Sequence, residues 1–335
     1  MKLLHLAQAR LNPRLFTTRF CRELSALGVV TLMENGAQLN DEQRAALIRE
    51  SDILLTGWGS APVPAAVAGD HGRLRYICHL TGSLRNILPR EIIQAGLPVS
   101  NWGDASALPV AEGALALLLA SLKQLPEQLA TKREGGWLPP HEHWIGSVRN
   151  LRLGLYGFGY IGSAFHALCR PLRPRRVAVF DPFATEVPHD IHQVASLEEL
   201  FAGSDAIAVH AALTNETQRS VTRELLARLP EGGIFINTAR GDIVDQDALF
   251  SELASGRLRA GLDVLAGDDR LPAGHPATTW PNLILTSHLD HCANWPSDSE
   301  RLEPWQEVAL DNLKRFQRGE PLRFVFTAER LARST

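Results

Sequence analysis

The sequence predicts an α/β protein in which helices cover parallel sheets. Short apolar runs alternate with helix-like stretches throughout the 335 residues, and this alternation forms two separate series. Parallel neighbours need a crossover connection, so strands and helices alternate along such a chain. With 45% hydrophobic and 21% charged residues, the composition is that of an ordinary globular protein, and the length favours two domains.

The first series occupies roughly the first hundred residues. Its predicted strands are the apolar runs "KLLHLA", "DILLTGW" and "RYICHL". Helices are predicted near Pro13 to Leu27 and in "PREIIQAG".

The second series begins at "LRLGLYGFG" and has the same rhythm. Its further predicted strands are "RVAVFDPF", "DAIAVHAAL", "GGIFINTAR", "RAGLDVL" and "NLILTSHL". The helices between them include "SLEELFAG", "TRELLARL" and "DQDALFSELASG". In the last of these helices Asp245 is the predicted N-cap and Gly256 lies just past the end.

Two segments stand outside both series. Residues 132–150 are rich in Gly, Pro, Trp and His without a clean period, which indicates an arm or a long connection. Residues 299–319 are a predicted helix, and "LRFVF" after it is one more predicted strand. A strand left over after a complete second sheet indicates that the chain returns to the first domain.

Charge and composition narrow the class of partner to a small molecule. The formal net charge is -3 with both signs interleaved, so no general field attracts nucleic acid or an anionic membrane. The opening residues lack a secretory apolar core, and the longest apolar run, "GALALLLASL", is shorter than a membrane span, so we expect a cytoplasmic protein. The cysteines, Cys21, Cys78, Cys169 and Cys292, form no CxxC pair, and we expect them to be reduced and mostly buried.

A glycine-rich loop follows the first strand of the second series. Gly157, Gly159 and Gly162 have the GxGxxG spacing of a dinucleotide-binding turn, in which the helix N-terminus faces a pyrophosphate. The next strand ends in Asp181, where an acid accepts hydrogen bonds from the adenosine ribose and repels a 2′-phosphate. The pattern therefore predicts NAD as the cofactor rather than NADP. The arginines at 170, 173, 175 and 176 precede this strand, and we interpret them as a solvated surface loop.

Several motifs together resemble the D-isomer-specific 2-hydroxyacid dehydrogenase family. They are "LPVAEGALALLLA", "VHAALTNET", "INTARGDIVDQDALFSEL", "AGLDV" and "LTSHL", in the family's order and at compatible spacing. The resemblance is strong over about residues 98–289 and limited to the alternating pattern before them. It implies a Rossmann-type cofactor domain, residues 105–293, inserted into a flavodoxin-like substrate domain, residues 1–104 and 294–335, both with parallel sheets. The family is commonly dimeric, so we expect a homodimer to which the arm around Trp137 contributes.

Arg240 and His288 are the predicted catalytic side chains. Each follows a strand end, where ligands bind in open α/β sheets. A guanidinium at Arg240 suits the carboxylate and ketone oxygens of a 2-keto acid. Histidine has an ordinary pKa of about 6.5, which suits a proton donor in reduction and a proton acceptor in oxidation. The resemblance gives His288 this acid/base role.

The resemblance also implies a carboxylate that orients His288, five residues after Asp263. That position holds Asp268, where the family normally has glutamate. One methylene less of reach requires a closer loop, or the use of Asp269 instead, or a loose pair. A solvated turn without a catalytic role is the remaining interpretation.

Cofactor and substrate contacts are likewise implied by the resemblance. The expected cofactor-binding residues are Gly157, Gly159, Tyr160, Ile161, Gly162, Asp181, His210, Ala211, Thr238, Ala239, Arg240, Asp263 and His288. Asp263 is expected to hold the nicotinamide carboxamide. In the first domain, Gly82 and Ser83 are candidates to hold the substrate carboxylate through backbone N–H groups, although the usual Val-Gly-x-Asp pattern is absent. Arg85 adds a cation to this loop or is a surface residue, and Trp58 indicates a confined pocket or simple packing.

Two departures follow His288. Asp290 and His291 stand where the family usually has small residues, so the substrates of better-known members cannot be assigned to this protein. His288, His291 and Cys292 lack the further ligands that zinc needs, so no metal is predicted and packing is expected for Cys292. The sequence thus predicts an NAD-dependent oxidoreductase acting on a small 2-keto acid, similar to glyoxylate or hydroxypyruvate, and its D-2-hydroxy acid. A non-catalytic NADH sensor of the same fold is the alternative, and an enzyme oxidising phosphonate or formate is a third possibility.

Overall fold

The structure is a computed structural model that describes residues 1–84, 86–138, 145–267, 270–288 and 300–332. The chain divides into two compact units: Met1–Ser106 with Ala293–Thr335, and Ala107–Cys292. The first unit therefore contains both ends of the chain, and the second is inserted into it.

The first unit contains a five-stranded parallel sheet with the strand order β2-β1-β3-β4-β5. Its strands are β1 (Lys2–Leu6), β2 (Val29–Met33), β3 (Ile53–Thr56), β4 (Tyr76–His79) and β5 (Val99–Ser100). Its helices are α1 (Thr18–Leu27), α2 (Asp41–Arg49), α3 (Arg90–Gln94), α10 (Pro304–Arg318) and α11 (Ala328–Ala332). This strand order is that of flavodoxin-like sheets.

Local sequence explains where these helices begin. Thr17 caps α1 by accepting from the N–H of Phe20, and Asn40 caps α2 in a reciprocal capping box with Gln43. Helix α10 starts with Pro304, and Gly319, which follows its last residue, adopts the left-handed conformation that suits glycine.

The strand predicted at "LRFVF" is wrong, although the chain does return to the first unit there. Only an isolated antiparallel bridge joins Ser100 to Val325, with Phe326 N–H donating to the carbonyl of Val99. Phe324 has a φ of 55°, in the left-handed region, and this interrupts the extended backbone that a regular strand requires.

The second unit contains a seven-stranded parallel sheet with the order β12-β11-β10-β9-β6-β7-β8. Its strands are β6 (Arg152–Tyr156), β7 (Arg176–Phe180), β8 (Ile191–Gln193), β9 (Ala206–Val209), β10 (Gly233–Asn237), β11 (Leu258–Leu262) and β12 (Leu283–Leu285). Its helices are α4 (Ala107–Leu122), α5 (Leu125–Arg133), α6 (Tyr160–Cys169), α7 (Leu197–Ala202), α8 (Arg223–Leu226) and α9 (Gln246–Ala254). The predicted caps of α9 are present, since Asp245 accepts from Ala248 N–H and Gly256 lies at positive φ.

Both faces of the second sheet are covered. Ile207 and Val209 of β9 belong to one apolar cluster, whereas their neighbours Ala206 and Ala208 belong to another. Alternate residues of a strand point to opposite faces, so helices pack on each side. The predicted fold class is confirmed: a Rossmann-type unit and a flavodoxin-like unit, both with parallel sheets.

Within the described residues, no single helix is long and apolar enough to cross a membrane. Helices α4 and α5 meet the length and composition test only as a pair, and the chain bends by 61° between them.

Candidate active site

The candidate residues of the second unit follow one edge of its sheet. Strands β6 and β9 are neighbours at the point where the strand order reverses, and such a switch point opens a crevice at the carboxyl ends of the strands. In sheet order, the residues that follow the strands are His288 after β12, Asp263 after β11, Thr238 to Arg240 after β10, His210 after β9, Gly157 to Gly162 after β6 and Asp181 after β7. The sequence motifs therefore converge on a single edge.

The glycine loop leaves room where a phosphate would approach. A Cβ atom on Gly157 would lie 2.6 Å from the backbone nitrogen of Ala211, and one on Gly162 would lie 2.4 Å from the carbonyl oxygen of Gly157. Gly159, in contrast, has no described atom within 4 Å of such a Cβ, and it precedes α6 without a side-chain cap. Two glycines thus permit close packing, and the third faces open space at a helix N-terminus.

Tyr160 and Ile161 form the first turn of α6, directly after this open position. The side chain of Tyr160 is about half exposed. The first N–H groups of a helix have no partner within it, so both residues present backbone donors toward the loop.

Asp181 connects the loop to the following segment. Its carboxylate oxygens accept from the N–H of Phe158 at 2.7 Å and from the N–H of Phe183 at 2.8 Å. Each oxygen retains lone pairs, because a carboxylate accepts up to about four hydrogen bonds. The acid can therefore accept further hydrogen bonds while it fixes the loop.

Two polar side chains near this edge are buried without partners among the described residues. The hydroxyl of Thr238 makes no hydrogen bond there, and neither ring nitrogen of His210 does. Burial lowers the pKa of His210 to about 3, so its ring is neutral and packs on Phe165, with ring centroids 4.8 Å apart. Buried polar groups normally have partners, so this edge suits a polar ligand. A nicotinamide dinucleotide fits the donor set together with the open glycine.

The turn after β10 is ordered by Asn237. Its side chain accepts from the N–H of Ala239 at 3.0 Å and donates to the carbonyl of Arg240 at 2.9 Å. Arg240 is half-buried, and its guanidinium donates to the carbonyl of Ala239 at 2.6 Å. The preceding asparagine thus fixes the turn on which the predicted catalytic arginine lies.

Asp263 and His288 are joined directly. The carboxylate of Asp263, which is 4% exposed, accepts from the backbone N–H of His288 at 2.9 Å and from the hydroxyl of Thr286. His288 has a φ of 53°, in the left-handed region that favours glycine over residues with a Cβ. The surroundings must therefore stabilise this backbone, and the buried carboxylate does so.

The loop after β11 approaches the turn of Arg240 closely. A Cβ atom on Gly241 would lie 1.9 Å from the carbonyl carbon of Leu265, and the side chain of Gln246 accepts from the N–H of Ala266 at 2.8 Å. This brings Leu265 and Ala266 of the loop beside the Arg240 turn. Asp268 and Asp269, the two candidates for the carboxylate partner of His288, lie outside the described residues, as do Asp290, His291 and Cys292.

The candidate loop of the first unit follows β4. The carbonyl of Gly82 accepts from the side chain of Asn101 at 2.9 Å, and the carbonyl of Ser83 lies 2.9 Å from Nε2 of His79. Trp58 and Trp102 are half-exposed beside each other, with ring centroids 5.4 Å apart at 79°. Arg85 lies outside the described residues.

The sequence motifs do not include several of these supporting residues. They are His79, Asn101, Asn237, Gln246 and Thr286. Most of them are polar residues at or just after the end of a strand, and this is the signal that points to such a role.

Cysteine and metal chemistry have no cluster in the described part of the chain. Cys21, Cys78 and Cys169 are free thiols, and burial raises the pKa of Cys78 to about 11 and that of Cys169 to about 12. The described residues contain no group of three or more His, Cys, Asp or Glu side chains arranged to hold a metal.

Comparison with known proteins gives consistent matches. The family described as D-isomer specific 2-hydroxyacid dehydrogenase, NAD binding domain, matches residues 115–289. The glyoxylate reductase/hydroxypyruvate reductase of Homo sapiens is 30% identical over 84% of this chain and 93% of its own length. The crystal structure of an NADPH-dependent glyoxylate/hydroxypyruvate reductase from Sinorhizobium meliloti, in complex with NADP and malonate, has a TM-score of 0.75 at 22% identity and covers 100% of this chain and 98% of that one. The D-lactate dehydrogenase of Lactobacillus jensenii with NAD+ has a TM-score of 0.76 at 22% identity, over 98% of this chain and 100% of that chain.

Proposed function

The chain belongs to the D-isomer specific 2-hydroxyacid dehydrogenase family, and from this premise we propose that it interconverts a small 2-keto acid, of the glyoxylate and hydroxypyruvate kind, with its D-2-hydroxy acid. The observation that carries the proposal is the buried Asp263 holding His288, at the sheet edge that also bears the glycine loop and Arg240. A dehydrogenase needs these groups together, because the cofactor and the proton donor must both reach the substrate.

The proposed roles follow from the chemistry of each side chain. When bound, the reduced nicotinamide supplies hydride to the carbonyl carbon. Arg240 pairs with the carboxylate and polarises the ketone oxygen, and His288 gives that oxygen its proton. Backbone N–H groups of Gly82 and Ser83 hold the carboxylate in the same proposal.

The cofactor residues belong to the proposal as well. Gly159, Tyr160 and Ile161 would hold the pyrophosphate, Gly157 and Gly162 would shape the loop, and Asp181 would bind the ribose. On the nicotinamide side, the expected contacts are His210, Ala211, Thr238, Ala239, Arg240, Asp263 and His288. The open space at Gly159 and the unsatisfied polar atoms of His210 and Thr238 support this assignment.

We propose NAD rather than NADP as the cofactor. Asp181 repels a 2′-phosphate, and no lysine or arginine occurs between Asp181 and Asp190 to bind one. Titration of the intrinsic fluorescence with NADH and with NADPH tests this choice, and Asp181→Ala is the matched variant. The proposal is supported if the wild-type protein binds NADH more tightly than NADPH and if this difference in affinity is smaller in Asp181→Ala. Tighter binding of NADPH by the wild-type protein contradicts it.

The carboxylate that orients His288 is proposed to be Asp268, on its spacing from Asp263. Separate Asp268→Asn and Asp269→Asn variants test it through the pH dependence of kcat. A carboxylate beside the histidine favours the protonated imidazolium. Its loss should therefore shift the pH dependence of kcat for reduction, which needs the protonated form, to lower pH. That shift is expected in Asp268→Asn alone, and a shift confined to Asp269→Asn reassigns the partner.

Turnover itself is the test of the proposed reaction. NADH oxidation by the purified protein is measured with glyoxylate, hydroxypyruvate, pyruvate, phenylpyruvate and 3-phosphohydroxypyruvate, beside His288→Gln. Loss of general acid catalysis predicts a fall of roughly a hundredfold or more in kcat for the variant. Tight NADH binding without oxidation on the whole panel contradicts the proposal and favours a sensor.

A homodimer is proposed on the basis of helix α5 and the arm after it. Helix α5 contains no buried residue, Leu129 is 47% exposed and Trp137 is 75% exposed. An exposed group of large apolar side chains is typical of an interaction surface. Sedimentation of the wild-type protein and of Leu129→Glu tests this, with a dimer expected for the wild-type protein and a monomer for the variant.

We also propose a cytoplasmic location, which cell fractionation tests.

A further inference from the structure

Buried side chains hold two consecutive carbonyl groups in the loop after β4. Nδ2 of Asn101 donates to the carbonyl of Gly82, and Nε2 of His79 lies within hydrogen-bond distance of the carbonyl of Ser83, each at 2.9 Å. Asn101 is 8% exposed and His79 is 1% exposed. Oδ1 of Asn101 accepts from Gly103 N–H and from Arg330, so its amide nitrogen is the group that faces Gly82.

The contacts of His79 favour one tautomer. A carbonyl oxygen only accepts, so the contact with Ser83 is a hydrogen bond when Nε2 carries the hydrogen, and the hydroxyl of Thr81, 2.8 Å from the same nitrogen, then accepts as well. Nδ1 then accepts from the hydroxyl of Thr56, 2.8 Å away, which is the register neighbour of His79 on β3. Burial lowers the pKa of His79 to about 4, against the opposing effect of the hydrogen bond to Ser83. The ring is therefore neutral near pH 7, and both of its nitrogens have hydrogen-bond partners.

Held carbonyls set the direction of the amide groups. In a planar trans peptide the N–H points opposite to the C=O. The N–H of Ser83 therefore points away from Asn101, and the N–H of Leu84 points away from His79. A Cβ atom on Gly82 would lie 2.8 Å from the indole of Trp102, so a side chain there would have to displace that ring. The orientation of these donors is thus fixed before any ligand binds.

We propose that His79 is a positioning residue for the substrate carboxylate, acting through the Gly82–Ser83 loop and held in place by Thr56. This inference rests on the proposed function, in which Gly82 and Ser83 bind that carboxylate: Asn101 orients the N–H of Ser83, and His79 holds the Ser83 carbonyl and with it the backbone that follows. Donors that are already oriented bind an anion more tightly, because binding does not have to order the loop. His79 does not exchange a proton with the substrate in this role.

The test compares His79→Leu and His79→Gln with the matched control His5→Leu. His5 lies on β1 of the same sheet, is 1% exposed, has a pKa lowered to about 4 by burial, and bonds through Nδ1 to the carbonyl of Leu55 at 3.0 Å. It differs from His79 in holding a strand rather than the loop. Steady-state kinetics give the KM for hydroxypyruvate, the KM for NADH and kcat for each variant.

The proposal predicts a change confined to one substrate. Loss of one buried hydrogen bond should raise the KM for hydroxypyruvate by roughly tenfold in His79→Leu, with the KM for NADH unchanged. His79→Gln should recover part of the loss, since its amide can donate to Ser83. An equal rise in His5→Leu, or an unchanged KM for hydroxypyruvate in His79→Leu, overturns the proposal.

Oxamate binding separates this inference from the proposed reaction. Oxamate carries the carboxylate and carbonyl of a 2-keto acid but is not reduced, and calorimetry with the protein–NADH complex measures its affinity without turnover. If the wild-type protein binds oxamate but reduces no keto acid, the proposed reaction is contradicted. Weaker oxamate binding in His79→Leu than in His5→Leu would still support the role of His79. If the wild-type protein–NADH complex does not bind oxamate, both the proposed carboxylate site and the role of His79 in it are contradicted.

Discussion

Among single residues, Asp263 connects the fold to the chemistry most directly. Its buried carboxylate accepts from the backbone of His288, which has a left-handed φ of 53°. A non-glycine residue at such a φ is strained by roughly 1 to 3 kcal/mol unless its surroundings hold it. The family resemblance assigns Asp263 to the nicotinamide carboxamide, and the structure adds a second task, the placement of the histidine backbone.

Replacement of Asp263 should therefore affect catalysis in a graded way. In Asp263→Asn the side-chain oxygen can still accept from His288, whereas Asp263→Ala removes the acceptor. We expect kcat to fall by roughly tenfold or more in Asp263→Ala and by less in Asp263→Asn, because a buried hydrogen bond to a charged group contributes about 1.5 to 3 kcal/mol. Thr286→Val, which leaves the bond to His288 intact, is the control. Equal kcat values in the wild-type, alanine and asparagine proteins would show that this hold is not needed.

At the scale of an element, we expect different effects from substitutions at two glycines of the loop that leads into α6. Gly162 packs against the carbonyl of Gly157, whereas Gly159 faces open space. Gly162→Ala should lower the free energy of unfolding by about 1 to 3 kcal/mol, the usual effect of overpacking. Gly159→Ala should leave that free energy nearly unchanged and weaken NADH binding instead. Urea unfolding and NADH titration of both variants measure the two effects, and strong NADH binding by Gly159→Ala would place the pyrophosphate elsewhere.

The elements that sequence predicts well are those with a local signal. The glycine spacing, Asp181 after β7 and the caps of α9 are all fixed by neighbours in the chain, and each lies where the pattern predicts. The strand at "LRFVF" was wrong because nothing in its apolar pattern indicates the left-handed conformation of Phe324. The contacts of Asp263 with His288 and of Asn101 with Gly82 join residues distant in sequence, so only the folded chain reveals them.

At the scale of the whole molecule, three buried histidines predict how stability depends on pH. Burial lowers the pKa of His5 and His79 to about 4 and that of His210 to about 3, from an ordinary value of 6.5. As the pH falls below 6.5, these histidines therefore bind more protons in the unfolded chain than in the folded chain. The stability from these neutral rings is fully present above pH 6.5 and is lost as the pH falls toward 4.

Urea unfolding across this pH range measures the effect in both units, since His5 and His79 belong to the first and His210 to the second. We expect the free energy of unfolding to decrease from pH 6.5 downward, and His5→Leu to decrease less steeply than the wild-type protein. A free energy that stays flat or rises as the solution becomes acidic would contradict the neutral, buried state of these rings.

Under the proposed function, this protein is a D-specific reductase of 2-keto acids. The most direct measurement is the yield and chirality of glycerate when the purified protein consumes NADH in the presence of hydroxypyruvate. One D-glycerate is expected for each NADH consumed. Formation of L-glycerate, or NADH that binds and is never consumed with any 2-keto acid, would contradict it.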